Sequence, residues 1–117
     1  MSAPYLYSDP RALLHAVGGD VDGYARLAAM FIDAAAPALV RLRLVAAADD
    51  AATLQHLCHE LRSSAVLVGA HQLHAQLLHW ESALRAGQPG PAPDELDALA
   101  QLLALVCDEL QRAGRAP

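Results

Sequence analysis

From Leu54 to Val68 the apolar and small residues fall at Leu54, Leu57, Cys58, Leu61, Ser64, Ala65 and Val68. This is the i, i+3, i+4, i+7 spacing of a helix packed on one side. At 100° per residue the opposite face carries Gln55, His56, His59, Arg62, Ser63 and Val66. A longer stripe, Tyr24, Leu27, Phe31, Ala35, Ala38, Leu42 and Val45, predicts a second helix from Asp20 to near Asp49-Asp50. Pro37 lies inside it and predicts a kink or local break near Asp33 to Ala36 rather than two separate elements. A fourth helix is expected from Ala70 to about Ala86, with Ala70, Leu73, Leu77, Trp80 and Leu84 facing inward. The last begins near Pro93, on the stripe Leu96, Leu99, Leu103, Val106 and Leu110. Ahead of these, Ser8 can cap a short first helix from Asp9 to about Val17, with Pro10 in its first turn and Gly18-Gly19 ending it.

The punctuation between stripes is short. Asp49 or Asp50 caps the third helix, Gly69 stops it, and Gly87 to Pro93 forms a loop. No strand pattern, repeat or domain boundary interrupts the series, so residues 1–117 read as one domain. The expected fold is all-α: an antiparallel up-down-up-down four-helix bundle with a short N-terminal lid helix. Composition agrees, since 55 % of residues are hydrophobic but only 4 % aromatic, which leaves Leu, Val and Ala to fill the core. The net charge of −5 argues against nucleic acid or an anionic membrane as partner. No apolar run reaches 18 residues and no basic stretch leads into an apolar one at the N-terminus. The expectation is therefore a cytoplasmic protein without membrane span. Cys58 and Cys107 lie on apolar stripes and read as buried free thiols.

His59 is the reactive side chain that the third helix displays outward, and an exposed imidazole on a rigid helix can accept and release a phosphoryl group. A free imidazole titrates near about 6.5, so at pH 7 one nitrogen attacks phosphorus without a general base. The chain has no glycine-rich phosphate loop and no Asp/Asn pair placed for Mg²⁺, so no nucleotide or cofactor of its own is expected. His71 and His74 have an i,i+3 spacing able to hold a metal, but no carboxylate or thiol clearly completes a site, and no metal is expected. His15 reads as a satisfied residue of the lid helix. A solvated surface histidine at position 59, and a surface ion pair between Glu81 and Arg85, are the plainer alternatives.

His59-x-Leu61-Arg62-Ser63-Ser64 followed by Gly69-Ala70 resembles the signature of the histidine-containing phosphotransfer (HPt) domains of multistep phosphorelays. The family pattern is roughly His-x-Leu-Lys-Gly-Ser, then Gly-Ala, a Leu three residues on, and an acidic or amide residue further along. Leu73 and Glu81 fill those last two places. The resemblance extends through Ala12 to Asp20, Phe31, Ala36-Pro37 and Asp49-Asp50. It implies a phosphoryl carrier rather than an enzyme, passing phosphate between receiver-domain aspartates and His59, with Nε2 as the attacking nitrogen. Nδ1 then carries a proton that needs an acceptor. Glu81, beside Trp80 on the neighbouring helix, occupies the position that serves this role in the family. Arg62 is expected along the phosphoryl's exit side, screening its charge, with Arg85 assisting or pairing with Glu81. Two positions depart from the pattern: Arg62 stands for Lys in a chain whose eight basic residues are all Arg, and Ser63 stands for Gly.

The implied partners are response-regulator receiver domains and a hybrid sensor histidine kinase, docking over Gln55, His56, Arg62, Ser63 and Val66. Any Mg²⁺ is expected in the receiver. The chain is read as a monomer, freestanding or the separable end of a hybrid kinase. The competing reading is a helical interaction module that binds a receiver or kinase without being phosphorylated. A metal-binding bundle built on the histidines of the third and fourth helices is a third.

Overall fold

Leucine and alanine stripes on four long helices close on one another around a common core. The computed structural model describes residues 5–115 and comprises α1 (Pro10–Ala16), α2 (Val21–Ala47), α3 (Ala51–Leu67), α4 (His71–Arg85) and α5 (Pro93–Arg115). Helices α2 to α5 form the antiparallel up-down-up-down bundle and α1 closes one end against α2 and α5. No strand occurs among the described residues, and none of their helices is long and apolar enough to cross a membrane. The core holds Leu13, Tyr24, Phe31, Leu42, Leu54, Cys58, Leu73, Leu77, Trp80, Leu99, Leu103 and Val106, largely as the periodicities require.

Several local features differ from expectation, each for an identifiable reason. Asp9, not Ser8, caps α1, its carboxylate accepting from the Ala12 N–H at 3.1 Å. Ser8 is buried instead, its N–H and hydroxyl both donating to Glu109 of α5. Helix α2 continues through Pro37 as one element, as expected, and without a local break at 33–36. Proline removes the bond to the Asp33 carbonyl, but both residues are exposed, so water can satisfy the freed acceptor. Ser64 is exposed rather than buried because it faces an open groove between α2 and α3. Cys107 is only half-buried, whereas Cys58 is fully enclosed, and both are free thiols. Asp50 is the α3 cap, accepting from the Thr53 N–H at 3.1 Å, while Asp49 takes the left-handed conformation that ends α2.

The joint that matters most for the site is the turn between α3 and α4. Gly69 has φ +66, and a Cβ there would lie 2.4 Å from the Cβ of Asp9. Asp9 donates its N–H to the Val68 carbonyl at 2.8 Å, so the start of α1 is fastened onto this turn. The lead-in is fastened as well. Glu109 is buried, and its carboxylate collects the N–H groups of Leu6, Tyr7 and Ser8 and the Ser8 hydroxyl at 2.7–3.1 Å.

Gly69→Ala is expected to lower stability by roughly 1–3 kcal/mol through left-handed strain, with the Asp9 clash adding to it. Gly18 has φ +68, and a Cβ at that position would meet no atom within 4 Å, so Gly18→Ala should carry the strain alone and cost less. Urea titrations of the two variants check the order; equal losses would mean that Asp9 does not pack on the turn as described.

Candidate functional site

The α3–α4 hairpin folds back about Gly69 and Ala70, which sets residue 59 of one helix against residue 81 of the next. His59 stands on the outer face of α3 with its side chain 56 % exposed, while Glu81 on α4 is only 2 % exposed. The histidine's Nδ1 lies 3.4 Å from Glu81 Oε2. Among the described residues no hydrogen bond involves Nε2, which is therefore the open nitrogen of the ring.

A carboxylate this deeply enclosed must be paired, because an isolated buried charge costs several kcal/mol. Two arginines do this from two helices. Arg62 of α3 donates through Nε to Glu81 Oε1 at 3.0 Å and through Nη2 to Oε2 at 3.3 Å. Arg85, one turn along α4, donates to Oε2 at 3.1 Å. Arg62 above all holds the Glu81 carboxyl below its usual range, outweighing the burial that would raise it, and His59 adds in the same sense.

Arg62 lies differently from the sequence expectation. Its guanidinium is not along the Nε2 side of His59 but on the Nδ1 side, with Nη2 at 3.0 Å from Nδ1. The cause is Glu81, whose buried charge draws the side chain inward until it is only 22 % exposed. The third arm, Nη1, reaches His74 Nε2 at 3.5 Å. Sequence reasoning did not bring His74 into this site. The signal was the hairpin register: with 59 opposite 81, residue 62 must look toward the start of α4, where His74 stands.

The remaining expected residues spread over the surrounding surface. His56 pairs with Glu60 one turn on and is exposed, Gln55 is half-buried, and Val66 is 61 % exposed. Ser63 is exposed, but its hydroxyl turns back to the His59 carbonyl at 3.1 Å. It thus presents little more than a methylene beside the ring. Cys58, the only other nucleophile adjacent in the chain, is inert: burial first, and the Glu81 charge second, push its thiol up to about 11. His15 is exposed on α1, away from these residues. The described residues contain no group of three or more His, Cys, Asp or Glu arranged to hold a metal ion.

The family described as Hpt domain matches residues 26–113. Among solved structures the fold is similar to the crystal structure of histidine-containing phosphotransfer protein B (HptB) from Pseudomonas aeruginosa PAO1. The TM-score is 0.83 at 24 % sequence identity, and the match covers 97 % of each chain. No curated protein matches the chain in sequence.

Glu81 ties acid stability to the site. Its folded-state pKa is depressed, so its contribution is fully present above the ordinary carboxylate pKa and is lost as pH falls through the lowered folded value. From about pH 4.3 downward the wild type should therefore lose stability faster than Glu81→Gln, which lacks the titrating group. Urea titrations of the two proteins across that range test this, and parallel profiles would contradict it.

Proposed function

The chain belongs to the Hpt domain family of phosphorelay phosphotransfer proteins, and from that premise we propose that His59 is its phosphoacceptor. The observation that carries the assignment is the half-open ring itself: Nδ1 is engaged from within by Arg62 and Glu81, and Nε2 faces outward with no partner among the described residues. In the forward step the Nε2 lone pair attacks the phosphorus of a receiver's aspartyl phosphate. The bond from phosphorus to the aspartyl oxygen breaks and the carboxylate leaves with the electron pair. Donation to a second receiver is the same step reversed. Glu81 accepts a hydrogen bond from Nδ1–H and so stabilises the cationic ring that carries the phosphoryl group. Arg85 neutralises Glu81 on its other side.

Electrophilic assistance belongs to the partner. The receiver supplies Mg²⁺ and the acidic site, while this chain supplies a positioned nucleophile and turns nothing over alone; it is a carrier, cytoplasmic and monomeric. Its partners are a hybrid sensor histidine kinase and response-regulator receivers, which dock over Gln55, His56, Arg62, Ser63 and Val66. An apolar groove of about 450 Å³ between α2 and α3, lined by Met30, Phe31, Leu57, Leu61 and Leu67, borders that ground. It gives an apolar receiver helix somewhere to rest. Contacts of this kind are small, near or below about 1,200 Å², and tolerate little bulk at their centre.

His59→Gln should abolish phosphoryl uptake from a charged receiver domain with helicity retained, since the replaced side chain is solvent-facing. The readout is acid-labile, base-stable phosphate on the protein, and its persistence in the variant would remove His59 from the role. Ser63→Gln tests the docking surface separately. It should block transfer from receivers while a small phosphodonor still labels His59, and wild-type transfer rates would place the docking surface elsewhere.

A further inference from the structure

Glu81 Oε2 is already occupied when His59 reaches for it. It accepts from Arg85 Nη2 at 3.1 Å and from Arg62 Nη2 at 3.3 Å, which uses both of its lone-pair directions, and Nδ1 comes third at 3.4 Å. The shorter contact to Nδ1 is with Arg62 Nη2, at 3.0 Å. A guanidinium has five N–H donors and no acceptor, and it does not lose its proton in proteins. That contact is a hydrogen bond only when Nδ1 offers a lone pair. The neutral ring's proton then sits on Nε2, the nitrogen that must attack. From these four distances we infer that Arg62 is a positioning residue that sets the tautomer of His59, holding the free ring in the form whose Nε2 is protonated and non-nucleophilic.

Arg62 is itself fixed for this task. Nε is committed to Glu81 and Nη1 lies on His74 Nε2, so the planar fork points Nη2 at the ring rather than sweeping past it. An ammonium at this position could meet one of these partners but not hold all three in one plane. Reaction requires the site to switch: Nη2 withdraws from Nδ1, water removes the Nε2 proton and returns one to Nδ1, and the new N–H donates to Glu81 Oε2. The lone pair freed on Nε2 then attacks. The same choice operates in the phosphorylated state. With Nδ1 protonated against Glu81 the ring is a good leaving group, and with Nδ1 accepting from Arg62 it is a poor one. Arg62 therefore slows both uptake and release, lengthening the life of the phosphohistidine between partners. The kinetic part of this inference rests on His59 being the phosphoacceptor; the tautomer part does not.

The ring nitrogens can be read directly by long-range ¹H–¹⁵N correlation on the full chain near pH 8, without any phosphodonor. Wild type should show His59 Nδ1 as the unprotonated nitrogen. Arg62→Met, of similar length and apolar, should move the tautomer ratio toward Nδ1–H by about tenfold, the size of one charge-assisted hydrogen bond. Arg62→Lys should move it in the same direction by less, and His74→Phe should move it slightly by loosening the fork. Phosphoryl uptake from acetyl phosphate should rise in Arg62→Met by a comparable factor. A wild-type ring already protonated at Nδ1, or a ratio unchanged in both Arg62→Met and Arg62→Lys with helicity retained, would overturn the tautomer assignment. A shifted ratio with slower uptake would overturn its kinetic consequence. Because the nitrogen shifts report on the ring whether or not it is phosphorylated, these failures are distinct from a His59 that takes up no phosphate at all.

Discussion

A carboxylate buried between two helices is the constraint around which the site is arranged. At 2 % exposure Glu81 needs compensating partners, and here they are cations from both members of the hairpin: Arg62 from α3, Arg85 from α4. The charge therefore ties together the two helices whose relative position decides where His59 sits. The same pairing keeps Glu81 anionic, so that it accepts hydrogen bonds and holds no proton of its own. It also helps keep Cys58, the neighbouring thiol, protonated. One buried charge thus orders the hairpin and keeps the neighbouring thiol protonated. A hydrophobic residue at position 81 would serve the packing and none of the chemistry.

The bundle contains a second buried acid solved in a different way, and the contrast is instructive. Among the described residues Glu109 has no cation; its oxygens are satisfied by three backbone N–H groups and a hydroxyl from the segment that precedes α1. Neutral donors in that number can hold a carboxylate, and in doing so they fasten the lead-in to α5. The lead-in then delivers Asp9 to the α3–α4 turn, where its N–H meets the Val68 carbonyl and its Cβ covers Gly69. The lid helix accordingly acts on the end of the hairpin opposite to where the Glu81 pairing acts. The two acids fix α3 and α4 at two separated levels, and rotation of one helix against the other, which would carry His59 away from Glu81, is opposed at both.

The sequence made the helices, their inward faces and the outward placement of His59 legible because each depends on residues three and four apart. The stripes of α4 and α5 are buried position by position, and Asp50 and Gly69 act as cap and stop. The errors share a physical origin. Ser8 and Asp9 are both good caps, and the choice between them was made by Glu109, a hundred residues away. Ser64 fits the buried stripe, yet the α2–α3 groove opens over it, and how far two helices diverge is not written in either one's periodicity. That α2 stays one element through Pro37 was legible, whereas the exposure of its freed acceptor to water depends on the helix's orientation in the bundle. For Arg62 the position was legible and the direction was not. A long cation at i+3 from a histidine can lie along either edge of the ring, and only the buried charge on the next helix selects the inner one.

That selection gives the replacement of lysine by arginine its meaning. A point charge on a flexible stem would satisfy Glu81 and leave Nδ1 to it. A planar fork held at three points occupies the space between carboxylate and ring and makes the two compete for the same nitrogen. Ser63 adds less at this surface than its bulk suggests, for its hydroxyl is spent on the helix's own carbonyl. Access from outside is thus kept open while readiness is controlled from inside. A carrier that must hold phosphate between one partner and the next has reason to separate the two: a ring easily reached but always primed would also give up its phosphoryl group easily to water. In this chain the restraint lies in the hydrogen bond behind the ring, not in any obstruction in front of it.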